Sequence, residues 1–391
     1  MKKRIRIGVV TTHPIQYQVP LFREMSSREG VEVDVFYNYI PDATQQGRGF
    51  GTSFEWDLPL LNGYNWKVLD GKGIEASQAR DSNTFGSLAE AYRASDVMLI
   101  HGWQSLYMQQ AWVYGLFSTI PLMVRGESNA LRRRPWYVHL LHRMYLWPYA
   151  KYLYIGESSR TFYLNAGISA SDLYFAPYCV ENARFDEDWQ RLRDDRSELR
   201  TELEIDPSAT CFLFCGKFSS KKRPSDVLTG FLEASGHSDR PLHLIMVGDG
   251  ELRQEVEAQT PNDAPVTYTG FLNQTEIGKT YAMSDVLVLP SDYGETWGLV
   301  INEGMIFENP AIVSDRVGSH PDLIEDGKTG YVFPFGDTES LASKMLQAVH
   351  DPDNLQEMGR AAREIILSKY SIDKAVDGIV RAAKDALTSQ R

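Results

Sequence analysis

The sequence predicts an α/β protein of two domains, each a parallel sheet covered by helices. Three observations carry this reading. Short apolar runs alternate with helical patterns along the chain, as βαβ units require. The alternation pauses once, near residue 180, at Pro177 and the polar turn that follows. The length, 391 residues, exceeds the roughly 100–200 residues of an ordinary single domain.

In chain order, strands are expected at Arg4–Thr11, Val31–Tyr37, Val97–His101, Ile120–Val124 and Leu153–Ile155. Helices fall between them, for example at Val19–Arg28 and Ser105–Phe117, while Pro41–Gly73, with Gly47, Gly49, Gly51 and Gly63, reads as a loop-rich insertion. A charged helical stretch, Asp186–Leu203, opens the second half. Six further strands follow at Thr210–Cys215, His243–Val247, Val266–Tyr268, Val286–Leu289, Ala311–Val313 and Gly330–Phe333. Helices intervene at Ser225–Ala234, Glu251–Gln259, Gln274–Met283 and Leu299–Phe307, and Ser371–Leu387 is one amphipathic helix. The expected domains are residues 1–180 and 181–370, with 371–391 as a terminal helix. Ligands of such sheets bind beyond the carboxyl ends of the strands, and between domains when there are two.

Composition narrows the class. At 43% hydrophobic and 24% charged residues, the chain matches a globular average, which excludes a disordered, collagen-like or disulfide-scaffold protein. No run reaches the roughly 18 apolar residues of a membrane span, and the basic N-terminus turns polar at Thr11–His13, too early for a signal peptide. A cytoplasmic location is expected. The three cysteines form no metal or redox motif; Cys211 and Cys215 lie on one strand, about 13 Å apart, and read as inert thiols. A net charge of −12 argues against a nucleic-acid partner. One stretch departs from that balance: Arg125–Lys151 holds six basic residues against one acid, so the remainder carries −17.

Several chemistries are absent. The first strand is followed by Thr11-Thr12-His13-Pro14, not by a Gly-x-Gly-x-x-Gly turn, and no Gly-Lys-Ser/Thr loop, Gly-x-Ser-x-Gly elbow or His-Glu-x-x-His helix occurs. The positive signals lie in the second half. Gly216-Lys217-Phe218-Ser219-Ser220-Lys221-Lys222 leaves a buried strand, and its lysines could converge on a diphosphate or simply be solvated. A second loop, Asp292 to Gly298, leads into a helix whose free amides face an anion if one binds there. Glu295 precedes this helix and Glu303 lies more than a turn inside it, a spacing that suits two separate hydroxyl-bearing groups of one ligand.

Taken with Val247-Gly248-Asp249-Gly250-Glu251-Leu252, Tyr268-Thr269-Gly270-Phe271-Leu272 and Gly318-Ser319-His320-Pro321-Asp322, these motifs resemble, in order and spacing, the donor domain of family 4 glycosyltransferases of bacterial type. The resemblance spans residues 205–370. It implies a GT-B fold, two Rossmann-like domains facing across a cleft, with the C-terminal helix returning to the first. It further implies that Glu303 binds the ribose and Glu295 the donated sugar. Thr296, Trp297, Gly298, Leu299 and Val300 would surround sugar and diphosphate with backbone groups, and Gly216, Lys217 and Lys222 would line the diphosphate. The family usually has arginine where Lys217 stands and Gly-Gly-x-Pro-Glu where Gly318–Asp322 stands.

The first half resembles the acceptor side of a bacterial subgroup through Thr12–Tyr17, Pro20-Leu21-Phe22, Phe50-Gly51, Trp56–Leu61 and Gly63-Tyr64, although the Gly-Gly turn common after strand one is missing. His101, at a strand end where the family often has a cleft histidine, could orient a hydroxyl or merely close the sheet. His13, Arg125 and Glu127 are further acceptor-side candidates, and a salt bridge within the loop is the alternative for Glu127.

The resemblance therefore implies a retaining transfer from a nucleotide-diphosphate sugar to a glycan, lipid-linked or small-molecule acceptor. The catalytic group would be Glu295, Lys217, Lys222 and His101. No metal-ligand cluster is visible, and no cofactor or metal is expected. The rival readings are an epimerase or phosphorylase on the same fold, and a silent sugar-nucleotide binder. Finally, Trp136, Leu140, Met144 and Trp147 fall on one stripe behind Arg132-Arg133-Arg134-Pro135. The stripe could contact the inner face of a membrane, or pack on the N-terminal sheet.

Overall fold

A computed structural model describes residues 4–69 and 85–388. The chain divides into two compact units, one of Met1–Gln46, Leu58–Cys179 and Ser371–Arg391, the other of Gly47–Asp57 and Val180–Tyr370.

The first unit holds a seven-stranded sheet of β1 (Ile5–Thr11), β2 (Val31–Tyr37), β3 (Asn65–Val68), β4 (Val97–His101), β5 (Leu122–Arg125), β6 (Tyr149–Tyr154) and β7 (Leu173–Phe175). The order is β3-β2-β1-β4-β5-β6-β7 and every pairing is parallel. Its central strands β4 and β5 read as near-continuous Val/Ile/Leu/Met runs, and every residue of both is buried, because both faces are covered. On one face Val9, Val35 and Leu99 pack with Phe22, Ile379 and Ala383; on the other, Ile100 and Val124 pack with Tyr92, Tyr107 and Phe162.

The second unit holds β8 (Thr210–Cys215), β9 (Leu242–Val247), β10 (Val266–Gly270), β11 (Val286–Leu289), β12 (Ala311–Ser314) and β13 (Gly330–Phe333), in the order β10-β9-β8-β11-β12-β13, again parallel. Phe212, Phe214, Phe231, Leu341 and Met345 form the core on one face. Phe185, Tyr281 and Phe307 meet as a ring cluster among the helices Asn182–Leu192, Ile277–Met283 and Leu299–Ile306.

Several sequence expectations are corrected. The insertion at Pro41–Gly73 contains a helical turn, Ala43–Gln46, and the strand β3; residues 70–73 lie outside the described residues. β3 is an edge strand with three of its four residues exposed, so it carries no alternation to read. β7 is only three residues long. The charged stretch 186–203 is two helices, Asn182–Leu192 and Arg196–Glu202. The segment Gly47–Asp57 belongs with the second unit rather than the first.

The last helix, Ile372–Thr388, packs on the first unit's sheet through Ala375, Val376, Ile379, Ala382 and Ala386. Its small residues permit close approach: a Cβ on Gly378 would lie 1.9 Å from the Phe175 carbonyl oxygen. Gly378→Val is therefore expected to cost about 1–3 kcal/mol by overpacking. A denaturant midpoint unchanged from wild type would contradict that packing.

Candidate functional site

In the second unit the chain order reverses between β8 and its two neighbours, β9 and β11. At such a switch point the loops leaving adjacent strands diverge and leave a crevice at their carboxyl ends. The loop after β8 carries Gly216, Lys217 and Lys222, and the loop after β11 carries Glu295 to Gly298.

The two loops are tied together. Lys222 and Glu295 form an ion pair whose side chains are both largely shielded from solvent. Asp292 donates its amide to the Lys221 carbonyl at 3.0 Å. Burial alone would raise the Glu295 pKa, but Lys222 and Lys221 outweigh it and hold the carboxyl below its ordinary value. Arg223 closes the first loop in a left-handed conformation, φ 56°, with its guanidinium bonded twice to Asp226 at 2.8 Å. That conformation is strained for a non-glycine residue, and the Asp226 bonds help maintain it.

Gly298 is the N-cap of the helix Leu299–Ile306, with φ 94°. The glycine turns the chain so that the amides of Leu299 and Val300, which no intrahelical carbonyl can reach, open the helix. A third loop, after β12, holds this turn. Gly318 donates to the Glu295 carbonyl at 2.9 Å and Ser319 to that of Trp297 at 3.1 Å. A Cβ at Gly318 would meet the Thr296 carbonyl oxygen at 1.7 Å, so only glycine fits. Trp297 itself is buried, with its indole donating to Asn302 Oδ1 at 2.8 Å. Its side chain therefore braces the turn.

Glu303 accepts a 2.5 Å hydrogen bond from Tyr281 Oη. Burial pushes its pKa up, and the Tyr281 bond, Arg184 and Lys222 only partly offset this. Lys217 sits apart from the Glu295 pair. Its Nζ donates to the Arg48 carbonyl at 2.8 Å and lies 4.5 Å from the Phe50 ring centre. Burial and the neighbouring Lys222 and Lys221 lower its pKa. The Gly47–Asp57 segment that reaches it is fixed by Phe54 stacking on Phe271, and by Asp57 accepting from the Thr275 amide at 3.0 Å.

The first-unit candidates fall into two groups. His101 and Arg125 are register partners on β4 and β5. His101 is enclosed, edge-on to Phe22, with Nε2 lacking a hydrogen-bond partner; burial and Arg125 lower its pKa to about 3, so the ring is neutral. The Arg125 guanidinium donates to Ala176 and Pro177 carbonyls and lies over Tyr178, whose hydroxyl donates to Glu127. His13 stands separately, its Nδ1 2.9 Å from Thr12 Oγ1 and its ring stacked on Tyr39. Burial lowers its pKa to about 4. The cysteines are free, and burial pushes each thiol up to about 12.

Sequence reasoning missed Tyr281, Arg48 with Phe50, and the clamp from Gly318. Gly318 was at least in a quoted motif. Phe50 also lies in a motif of the resemblance, but neither its contact with Lys217 nor that of Tyr281 with Glu303 has a local spacing to signal it, since both are made through tertiary packing.

Comparison with known proteins agrees with this geometry. Residues 195–365 match the family described as Glycosyl transferases group 1. N-acetyl-alpha-D-glucosaminyl L-malate synthase of Bacillus anthracis is 32% identical over 189 residues, 47% of this chain and 48% of that protein. Alpha-D-kanosaminyltransferase of Streptomyces kanamyceticus is 31% identical over 186 residues, 46% of this chain and 47% of that one. The chain thus spans about half the length of these relatives. Among solved structures, a glycosyltransferase from Rickettsia africae superposes with a TM-score of 0.74 at 14% identity, covering 98% of this chain and 99% of that one. The Anabaena HepE protein in complex with UDP and glucose gives 0.69 at 15%, covering 98% and 100%. The fold is GT-B, a pair of Rossmann-like units.

The ion pair makes a direct prediction. Glu295 contributes its full stabilisation above the ordinary carboxylate range and loses it as pH falls through its lowered pKa. Lys222→Met is expected to raise the Glu295 pKa, followed by carboxyl ¹³C shifts. It should also lower Tm more near neutrality than in mild acid. An unchanged titration would mean the pair carries no weight.

Proposed function

We propose that this chain is a retaining glycosyltransferase of family 4, moving a sugar from a nucleotide-diphosphate donor to a glycan, lipid-linked or small-molecule acceptor. The product would be a bacterial surface polysaccharide or glycoconjugate. The observation that carries the reading is the Lys222–Glu295 pair set beside the Gly298 helix start, at the switch point of the sheet with the group 1 sequence. The arrangement supplies cationic charge and amides for a leaving diphosphate and carboxylates for hydroxyls. The named activities of the relatives, a malate-linked glucosaminide synthase and a kanosaminyltransferase, favour the same reaction class.

In this mechanism Glu303, fixed by Tyr281, accepts hydrogen bonds from the ribose hydroxyls. Glu295 receives hydroxyls of the sugar and aligns Lys222 toward the diphosphate. The anomeric C–O bond to the diphosphate breaks, and the acceptor oxygen bonds to the anomeric carbon on the same face. The acceptor's proton passes to the departing phosphate oxygen. Lys222, Lys217 and the amides of Leu299 and Val300 stabilise the charge that grows there, which is electrostatic catalysis. Lys217 must first exchange its Arg48 partner for phosphate. Neutral His101 would add hydrogen bonding rather than charge on the acceptor side.

A thermal-shift screen with UDP, GDP, ADP and their sugars identifies the donor, because a ligand specific to the native state raises Tm. Glu303→Ala is then expected to weaken nucleotide binding about tenfold or more, since it removes bonds made in ground and transition states alike. Lys222→Ala should mainly lower kcat, because its charge matters most as the diphosphate leaves. Equal losses confined to donor affinity would contradict that division. The proposed reaction runs without metal; transfer that stopped in chelator and returned with a divalent cation would overturn this part.

A further inference from the structure

The helix Trp136–Leu146 in the first unit is turned inside out relative to an ordinary amphipathic helix. At about 100° per residue, Trp136, Tyr137, Leu140, Leu141, Met144 and the following Trp147 cover one arc of about 140°. All six are exposed, Trp136 at 77% and Trp147 at 78%. The opposite face turns inward: Leu146 is buried, His142 meets the Phe162 ring, and Tyr145 stacks on Trp112 at 4.8 Å. Trp112 belongs to the neighbouring helix Leu106–Leu116, which ends in another exposed ring, Phe117 at 87%. An exposed apolar surface of this extent calls for an occupant.

Charge identifies it. Between Asp96 and Glu157 the sequence holds one acid, Glu127, against six lysines and arginines, in a chain of net charge −12. The basic residues divide by role. Arg134 is structural, donating to the Asn129 carbonyl at 2.7 Å and lying over Phe162. Arg132, Arg133 and Arg143 are exposed beside the apolar arc. A second copy of the chain fits poorly, because a two-fold dimer would set this basic patch against itself. An anionic bilayer fits both features, with rings and aliphatics entering the headgroup boundary and guanidiniums meeting phosphates. Among the described residues no helix is long and apolar enough to cross a membrane, so such contact is peripheral.

We propose that the exposed face of Trp136–Trp147, flanked by Arg132 and Arg133, is a docking surface for an anionic lipid bilayer. The proposal does not rest on the glycosyltransferase reading, and its test is independent of turnover. Full-length protein is floated with vesicles of phosphatidylglycerol and phosphatidylcholine, and with phosphatidylcholine alone, while tryptophan emission is followed. Wild type is expected to float with the anionic vesicles, with emission shifted to the blue, and to bind the neutral ones far more weakly. Leu140→Ser/Leu141→Ser/Met144→Ser should abolish flotation. Arg132→Gln/Arg133→Gln should reduce partition by about fivefold per arginine at low salt. Because every substituted side chain is exposed, Tm should stay at the wild-type value, which separates lost docking from lost folding. Wild type left unbound by anionic vesicles, or both variants floating as wild type does, would overturn the proposal. So would concentration-dependent self-association, removed by the serine variant, in a protein that binds no vesicle.

Discussion

A carboxylate enclosed at the edge of a parallel sheet needs a cation, and the second unit is organised around meeting that need for Glu295. Lys222 supplies the charge from the neighbouring strand's loop, so the ion pair joins the segments leaving β8 and β11. The remaining features of the site maintain this junction. Arg223 holds the end of one loop in a left-handed turn, while Gly318 and Ser319 bind the backbone of the other at Glu295 and Trp297. A largely buried pair of this kind adds little net stability, since desolvation consumes much of the attraction. Its consequence is placement: two opposite charges and a helix start are fixed within one crevice before any ligand arrives.

The pKa values of the two glutamates of this crevice are shifted in opposite directions. Glu295 is held ionised by two lysines, whereas Glu303 is pushed toward protonation by burial and keeps one strong donor, Tyr281. Carboxylates with diverging pKa values serve different tasks. An ionised Glu295 beside Lys222 suits the place where charge changes during a reaction. Glu303, steadied by a tyrosine, suits a constant hydrogen-bonding role toward hydroxyls.

The first unit shows how burial redirects residues that look functional. Arg125 is occupied by the carbonyls of Ala176 and Pro177, and Glu127 by Tyr178, so this polar cluster fixes the end of the sheet near Pro177. His101, neutral and enclosed, has one ring nitrogen without a partner, which marks it as the member of the group with hydrogen-bonding capacity to spare.

The alternation of strands and helices, the loops that carry Lys217, Lys222 and Glu295, and the glycine that opens the Gly298 turn are all legible in the order of the amino acids. Each of these is written in neighbouring residues: period, apolar run, or a conformation only glycine adopts easily. The same order places Trp136, Leu140, Met144 and Trp147 on one stripe. Which way that stripe faces depends on packing, because periodicity gives a face but not what lies against it. The inward side was taken by Tyr145, His142 and Leu146, which pack on Trp112, Phe162 and the core, and the more apolar side was left outside. The same limit hid Tyr281 from Glu303, 22 residues away, and Phe50 from Lys217, 167 residues away, since chain distance carries no record of which side chains folding brings together.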